Sequence, residues 1–162
     1  MVEIDQAGLE VLTRDECLAL LASVPVGRVA FTDRALPAIT PVNFIVDDGS
    51  VVFRTGAGSK LAAATREAIV AFEADAFDSP SQSAWSVAAV GRALRVVDEA
   101  ELARLRTLDV PSWVPADREH FVRIELAQLS GRRIPRHSPD GVPLASGPAS
   151  DLAVPDGAAL LP

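Results

Sequence analysis

The feature that most constrains the fold of this sequence is a series of six short segments rich in valine, isoleucine, phenylalanine and alanine. Glycine, proline or aspartate bounds most of them, a pattern typical of β-strands. The segments cover 27–32, 38–46, 50–55, 69–74, 85–97 and 120–129. Most connections are short, and Asp47-Asp48-Gly49 has hairpin spacing. We therefore predict a mainly β protein with flanking helices, whose antiparallel sheet closes into a small barrel.

A helix is predicted before the strand series. Thr13 and Glu16 have the spacing of a capping box, in which each side chain bonds the other residue's backbone N–H. The helix should cover 14–23, with one apolar face that includes Cys17, which we interpret as a core residue. Two further helices are predicted at 59–66 and 98–105.

Length and composition predict one globular domain with a tail. The chain has 162 residues, 49% hydrophobic and 23% charged. We assign the domain to residues 1–135 and a tail rich in proline, glycine and alanine to residues 136–162. No apolar run approaches the roughly 18 to 20 residues that a membrane span needs. Since the N-terminus is acidic and lacks a secretory pattern, we expect a cytoplasmic protein without membrane contact.

Charge and metal-binding residue types exclude several other functions. The net charge of -7 repels nucleic-acid phosphates, so we expect no nucleic-acid partner. One cysteine cannot form an intrachain disulfide, and with two histidines it makes a poor metal-ligand set. We therefore expect no metal site.

The only lysine, Lys60, lies in a segment that could bind an anion. Arg54 and Thr55 end a predicted strand, a glycine-containing turn follows, and Ser59-Lys60 opens a predicted helix. Glycines permit close backbone approach, and a helix N-terminus attracts negative charge. The spacing is not that of a nucleotide-triphosphate P-loop. The same residues equally fit a solvated helix start with an incidental lysine, so the pattern alone leaves both interpretations open.

Several segments in this order resemble the pyridoxamine 5′-phosphate oxidase-like proteins, which are FMN-binding split barrels. They are VGRVAF, PAITPVNFIVDDGSVVFRTGAGSKLAAA, VAFEAD, WSVAAVGRALRVV and HFVRIELAQLSGRRI. The resemblance covers about residues 10 to 135 and is closest to the small bacterial branch, which includes actinobacterial members. It implies a six-stranded antiparallel split β-barrel that forms a homodimer, with flavin sites at the subunit interface.

The resemblance also implies which residues bind FMN. Arg54, Ser59 and Lys60 would hold its phosphate. Further residues would lie along the flavin or flank it, namely Thr40, Pro41, Val42, Asn43, Phe53 and Thr55. Trp85 would either pack on the flavin of the other subunit or be an interface or core aromatic. Trp113 is interpreted as a packing residue, and His120 as a flavin contact or a structural histidine.

The function implied is that of an FMN-dependent oxidoreductase, with hydride or electron transfer at flavin N5 and an unknown small-molecule substrate and electron donor. Vitamin B6 oxidation is not expected, because the chain lacks the arginine-rich C-terminal segment of the true oxidases. Two alternatives remain open. One is a reductase dependent on a deazaflavin coenzyme, for which Arg28, Arg92 and Arg95 could supply further positive charge. The other is a non-catalytic flavin-binding or sensing protein.

Overall fold

The computed structural model describes residues 2–56, 61, 67–112 and 120–134. In these residues it has nine strands: β1 Glu3–Ile4, β2 Glu10–Val11, β3 Val26–Asp33, β4 Leu36–Asp47, β5 Ser50–Thr55, β6 Ala68–Asp78, β7 Ser83–Arg95, β8 His120–Glu125 and β9 Gln128–Ile134. Two helices have described bounds, α1 Arg14–Ala22 and α2 Glu99–Thr107. The predicted helix 59–66 and tail 136–162 lie outside the described residues, except for Leu61, which is helical and buried.

Strands β3 to β8 form a closed six-stranded antiparallel barrel. The order is β7-β6-β3-β4-β5-β8, and β8 also pairs with β7, which closes the ring. Along β7 nearly every second residue is buried, as expected for a strand with one face in the barrel core. The predicted barrel is therefore confirmed. Neither described helix is long and apolar enough to cross a membrane.

Strand β7 divides its edge between two partners. Its residues 84–90 pair with β9, whereas 93–95 pair with β8. Gly91 lies at the division, where a Cβ would overlap the carbonyl oxygen of Glu125. The absence of a side chain at Gly91 lets the chain pass from β8 to β9 at close approach.

The prediction of one strand over 120–129 was wrong. The chain leaves the ladder after Glu125, turns through 126–127 and begins β9 at Gln128. The apolar pattern continues through the turn because Leu126 is itself buried, so periodicity gave no sign of the break. Strands β1 and β2 were not predicted, since two residues are too few to show a period.

The capping box of α1 is confirmed. The backbone N–H of Glu16 donates to Thr13 Oγ1 at 3.3 Å, and that of Thr13 donates to the Glu16 carboxylate at 2.8 Å. Cys17 is 1% exposed and packs in the barrel core, as predicted, and burial raises the pKa of its thiol. This helix lies against β4 and β9.

A second apolar cluster lies outside the barrel. On β5, Val51 and Phe53 belong to the barrel core, whereas Val52 belongs to the outer cluster. The other members of the outer cluster are Val96, Leu105, Val110 and Phe121. Leu105 comes from α2, so this helix is held on the outer surface of β5 and β8. Strand alternation places Arg54 on the same outer face as Val52.

Candidate functional site

Arg54 lies at the edge of the outer cluster, where it meets an aromatic ring. Its guanidinium carbon is 5.5 Å from the centroid of the Phe121 ring. The two residues are register partners on neighbouring strands β5 and β8. Phe121 is 4% exposed, so the ring is a fixed surface for the cation. This contact supports the long Arg54 side chain beside α2.

Arg54 lines a cavity of about 520 Å³ between the barrel and α2. The described residues that line it are Arg54, Arg95, Val96, Leu102, Arg106, His120 and Phe121. We call this space the arginine cavity, after its polar lining residues Arg54, Arg95, Arg106 and His120. No carboxylate lies among these described lining residues. A smaller cavity of about 310 Å³ shares Arg54, Arg106 and Phe121 and does contain a carboxylate, Asp109.

Arg95 and His120 are hydrogen-bonded at the mouth of the barrel. The distance from Arg95 Nη2 to His120 Nδ1 is 2.9 Å. An arginine can only donate, so His120 Nδ1 is the acceptor in this hydrogen bond. The bond therefore holds the His120 ring beside Arg95. Its two members come from β7 and β8, which pair at Arg95 and Val122.

Arg106 was not among the residues predicted for this site. It lies in the last turn of α2, together with Arg104. Basic residues are common there because they complement the helix dipole, so the sequence offered no specific signal. The contribution of Arg106 depends on how α2 packs against the outer cluster.

Four predicted site residues have buried side chains. Val42, Phe53, Thr55 and Trp85 are 3%, 0%, 2% and 3% exposed. Val42, Phe53 and Trp85 belong to the barrel core cluster, which favours the core interpretation of Trp85. With the side chains so placed, contact between these residues and a ligand on the outer face would involve their backbone groups.

The backbone of β4 changes partners between Asn43 and Phe44. Residues 44–47 pair with β5, whereas 36–43 pair with β3 and, among the described strands, with no second neighbour. Thr40 and Pro41 lie on this open edge. Asn43 is partly buried, and its Nδ2 donates to the carbonyl of Pro25 at 3.4 Å. The open edge therefore presents polar backbone groups, apart from the N–H that Pro41 lacks.

The remaining candidates have mixed outcomes. Ser59, Lys60 and Trp113 lie outside the described residues, so their predicted roles stay predictions. Arg28 pairs with Glu73 and Asp75 at 3.0 and 2.8 Å, and Arg92 pairs with Glu67 at 3.3 Å. Of the three arginines suggested for a longer anionic cofactor, Arg95 alone lines the cavity. No cluster of three metal-binding side chains occurs within the described ranges.

Comparison with known proteins gives consistent matches over the barrel. The family model described as pyridoxamine 5′-phosphate oxidase matches residues 13–133. A Mycobacterium tuberculosis protein named "Uncharacterized protein Rv0080" is 44% identical over 128 residues, which cover 76% of this chain and 84% of that protein.

Two solved structures share the fold at comparable identity. The FAD binding protein from Mycobacterium smegmatis is 38% identical, with a TM-score of 0.67 over 76% of this chain and 97% of that one. A conserved protein of unknown function from Corynebacterium diphtheriae, DIP1874, is 33% identical, with a TM-score of 0.64 over 76% of this chain and 96% of that one.

Proposed function

Because the chain belongs to the pyridoxamine 5′-phosphate oxidase family, we propose that it is a flavoprotein that binds FMN and acts as an oxidoreductase in the cytoplasm. A bound flavin would supply hydride or electron transfer at N5. The protein would hold the phosphate, orient the ring and shape the face that a substrate approaches. The phosphate cradle of Arg54, Ser59 and Lys60 is part of this proposal.

The position of Arg54 is the observation that carries the proposal. The side chain projects from the outer face of β5 over the Phe121 ring, into a cavity that Arg95, Arg106 and His120 also line. A guanidinium can donate two hydrogen bonds to one phosphate group. The residues present therefore fit an anionic cofactor headgroup, and Thr55 and Gly56 continue from Arg54 toward the predicted cradle.

The open edge of β4 supports a place for the flavin ring. The N–H of Phe44 donates to the carbonyl of Pro25, so strand alternation turns the backbone groups of Ile39 and Pro41 away from β3, where β4 has no second described strand. The polar edge of a flavin offers carbonyl and N–H groups that could pair with such a backbone, in the manner of an added strand. Asn43, held by Pro25, would border the same edge.

We further propose that the protein is a homodimer with the flavin site at its interface. An apolar row crosses four neighbouring strands on the outer face, with Ile39 paired to Ala30, Ala30 to Ala71, and Ala71 to Val90. Ile39 is 68% exposed and lies next to Thr40 on the open edge. Exposed apolar surface of this kind is typical of an association site.

The dimer can be tested by light scattering during size-exclusion chromatography. We expect the wild-type protein to elute as a dimer and Ile39→Lys to shift toward monomer. A wild-type protein that stays monomeric at tens of micromolar would overturn the dimer but leave FMN binding to be judged separately.

Flavin binding is tested by the visible absorption spectrum after incubation with FMN and desalting. Wild type should retain flavin bands, and Arg54→Gln and Lys60→Ala should each raise the dissociation constant at least about tenfold through loss of a charged phosphate contact. Arg34→Gln, a matched change in the exposed β3–β4 turn, should bind like wild type.

Two results would count against the proposal. One is a wild-type protein that stays colourless with excess FMN. The other is an Arg54→Gln variant that binds as tightly as Arg34→Gln. Turnover with a nicotinamide donor and an acceptor then separates an oxidoreductase from a carrier or sensor, because tight binding without turnover supports only the latter.

FAD is a second candidate cofactor, favoured by one specific comparison. The Mycobacterium smegmatis protein that is 38% identical to this chain is an FAD binding protein. A deazaflavin coenzyme is less favoured, because carboxylates already pair with Arg28 and Arg92. Titration of the same protein with FMN, FAD and the deazaflavin coenzyme ranks the three directly.

A further inference from the structure

Helix α2 forms one wall of the arginine cavity. Leu102 and Arg106 line the cavity from this helix. They are four residues apart, so their side chains lie on one face of α2. Arg54 lines the same cavity from β5 and holds the FMN phosphate in the proposed function, on which this inference rests. The shape of the ligand site therefore depends on the orientation of α2 against the barrel.

The apolar contacts of α2 hold it on the barrel but resist its rotation only weakly. Leu105 is the most buried side chain of the helix, at 0% exposure, and packs in the outer cluster. Leu102 is partly buried against the same cluster. Because apolar contacts are non-directional, the helix could roll about its own axis at little cost if these were its only contacts.

Charged residues lie on the opposite side of Leu105 from the cavity wall. Down an ideal helix axis, Leu102 and Arg106 lie about 60° and 100° to one side of Leu105. Glu101 and Arg104 lie about 40° and 100° to the other side. Bonds from these two charged residues to fixed groups would therefore oppose a roll that moves Arg106.

The partners of both charged residues are on the barrel. Arg104 donates to the two Asp47 carboxylate oxygens at 2.9 and 2.7 Å. Arg123 on β8 donates to Glu101 Oε1 and Asp47 Oδ2, each at 2.7 Å, and to the Asp47 carbonyl at 3.0 Å. The side chains of Asp47 and Arg123 are only 12% and 16% exposed. Directional bonds at two points of α2 thus fix its rotation.

We propose that Asp47 is a positioning residue for the FMN site. Through Arg104 and Arg123 it holds α2 at the rotation that places Leu102 and Arg106 in the cavity wall. Asp47 is not among the described residues that line the cavity. Its effect on a ligand is therefore exerted through the helix.

Calorimetric titration with FMN tests this inference, at a temperature where circular dichroism shows every variant folded. Asp47→Asn should weaken FMN binding about fivefold, because Arg106 is no longer held in place. Val87→Ala is the control for lost stability, since Val87 is 0% exposed and belongs to the barrel core cluster. It should destabilise the protein at least as much, yet bind FMN within about twofold of wild type.

A double-mutant cycle separates positioning from a general loss of stability. In an Arg106→Gln background, Asp47→Asn should change FMN affinity less than about twofold, because the side chain that it positions is already gone. Three results overturn the inference: unchanged FMN affinity in Asp47→Asn, an equal loss in Val87→Ala, or the full fivefold loss in the Arg106→Gln background.

Hydrogen exchange in flavin-free protein judges the positioning of α2 separately from FMN binding. Asp47→Asn should speed amide exchange within 99–107 and leave β6 and β7 as in wild type. Glu101→Gln is the second variant should Asp47→Asn fold poorly. If wild type binds no FMN but α2 responds in this way, the proposed function fails and the role of Asp47 in holding α2 stands. Unchanged α2 exchange would show that role to be wrong, whether or not FMN binds.

Discussion

Helix α2 carries one arginine into each of two different environments. Arg104 joins Asp47, Glu101 and Arg123 in a group that we call the Asp47 network, whereas Arg106 lines the arginine cavity. Two residues apart on a helix, their side chains point about 200° apart. One helix therefore separates positive charge that carboxylates neutralise from positive charge that faces a cavity.

The Asp47 network is satisfied by its own members. Arg104 donates from Nη1 and Nη2 to the two Asp47 carboxylate oxygens, at 2.9 and 2.7 Å. Arg123 donates to Asp47 Oδ2 and to Glu101 Oε1, both at 2.7 Å. Hydrogen bonds from Arg104, then those from Arg123, hold the pKa of Asp47 well below its usual range. This network ties α2 to the β4–β5 turn and to β8.

This contrast distinguishes arginines that stabilise the fold from arginines that are placed to bind a ligand. Arg123 has a fixed partner for its charge, so its removal should cost stability. Arg106 lines a cavity with Arg54 and Arg95 and is not part of the Asp47 network, so its removal should cost ligand affinity instead.

The largest expected effect is that of Asp47→Asn. The change removes the charge shared by Arg104 and Arg123 and should lower the free energy of unfolding by about 1.5 kcal/mol, after allowance for solvent around the half-exposed Arg104. Urea unfolding measures it. Asp48→Asn, the same change at the exposed neighbouring position, should stay close to wild type. Equal losses in the two variants would contradict a special role for Asp47.

The pH dependence should be next in size. Because the folded pKa of Asp47 is lowered, its contribution is complete above the unfolded pKa of about 4 and is lost as pH falls through the folded value. The stability gap between wild type and Asp47→Asn should therefore be constant near neutral pH and narrow below about pH 4. Urea midpoints at several pH values measure this gap. A gap that widens on acidification would contradict a lowered pKa of Asp47 in the folded protein.

A matched pair on α2 compares the two environments directly. Arg104→Gln should lower the urea midpoint by about half the Asp47→Asn shift, since Arg123 still pairs with Asp47. Arg106→Gln should leave the midpoint unchanged or raise it slightly in ligand-free protein, because it relieves repulsion. Equal losses of stability in the two variants would contradict the view that Arg104 stabilises the fold whereas Arg106 does not.

The smallest effect should come from salt. Raising sodium chloride from about 0.05 to 0.5 M screens repulsion among the arginines of the cavity and should stabilise ligand-free wild type by a few tenths of a kcal/mol relative to Arg106→Gln. Unfolding midpoints at the two salt concentrations measure the difference. A larger salt response in Arg106→Gln than in wild type would rule out repulsion as its cause.

Much of the barrel could be predicted from the sequence. Short apolar segments bounded by turn residues located the six barrel strands within a few residues of most of their ends, and the Thr13–Glu16 spacing located α1. These signals are local, because a strand or a cap is specified by residues close to it in the chain. The break at 126–127 was missed because Leu126 is buried and keeps the apolar pattern through the turn.

The sequence by itself determined the strand series, the start of α1, the burial of Cys17 and the presence of Arg54 at the end of a strand. Only the tertiary structure decided that Arg54, Arg95, Arg106 and His120 line one cavity, and that Arg28 and Arg92 pair with acids instead. The physical reason is that side-chain convergence depends on strand register and helix packing between distant segments. The sequence contains the charges, but the fold determines which of them meet an acid.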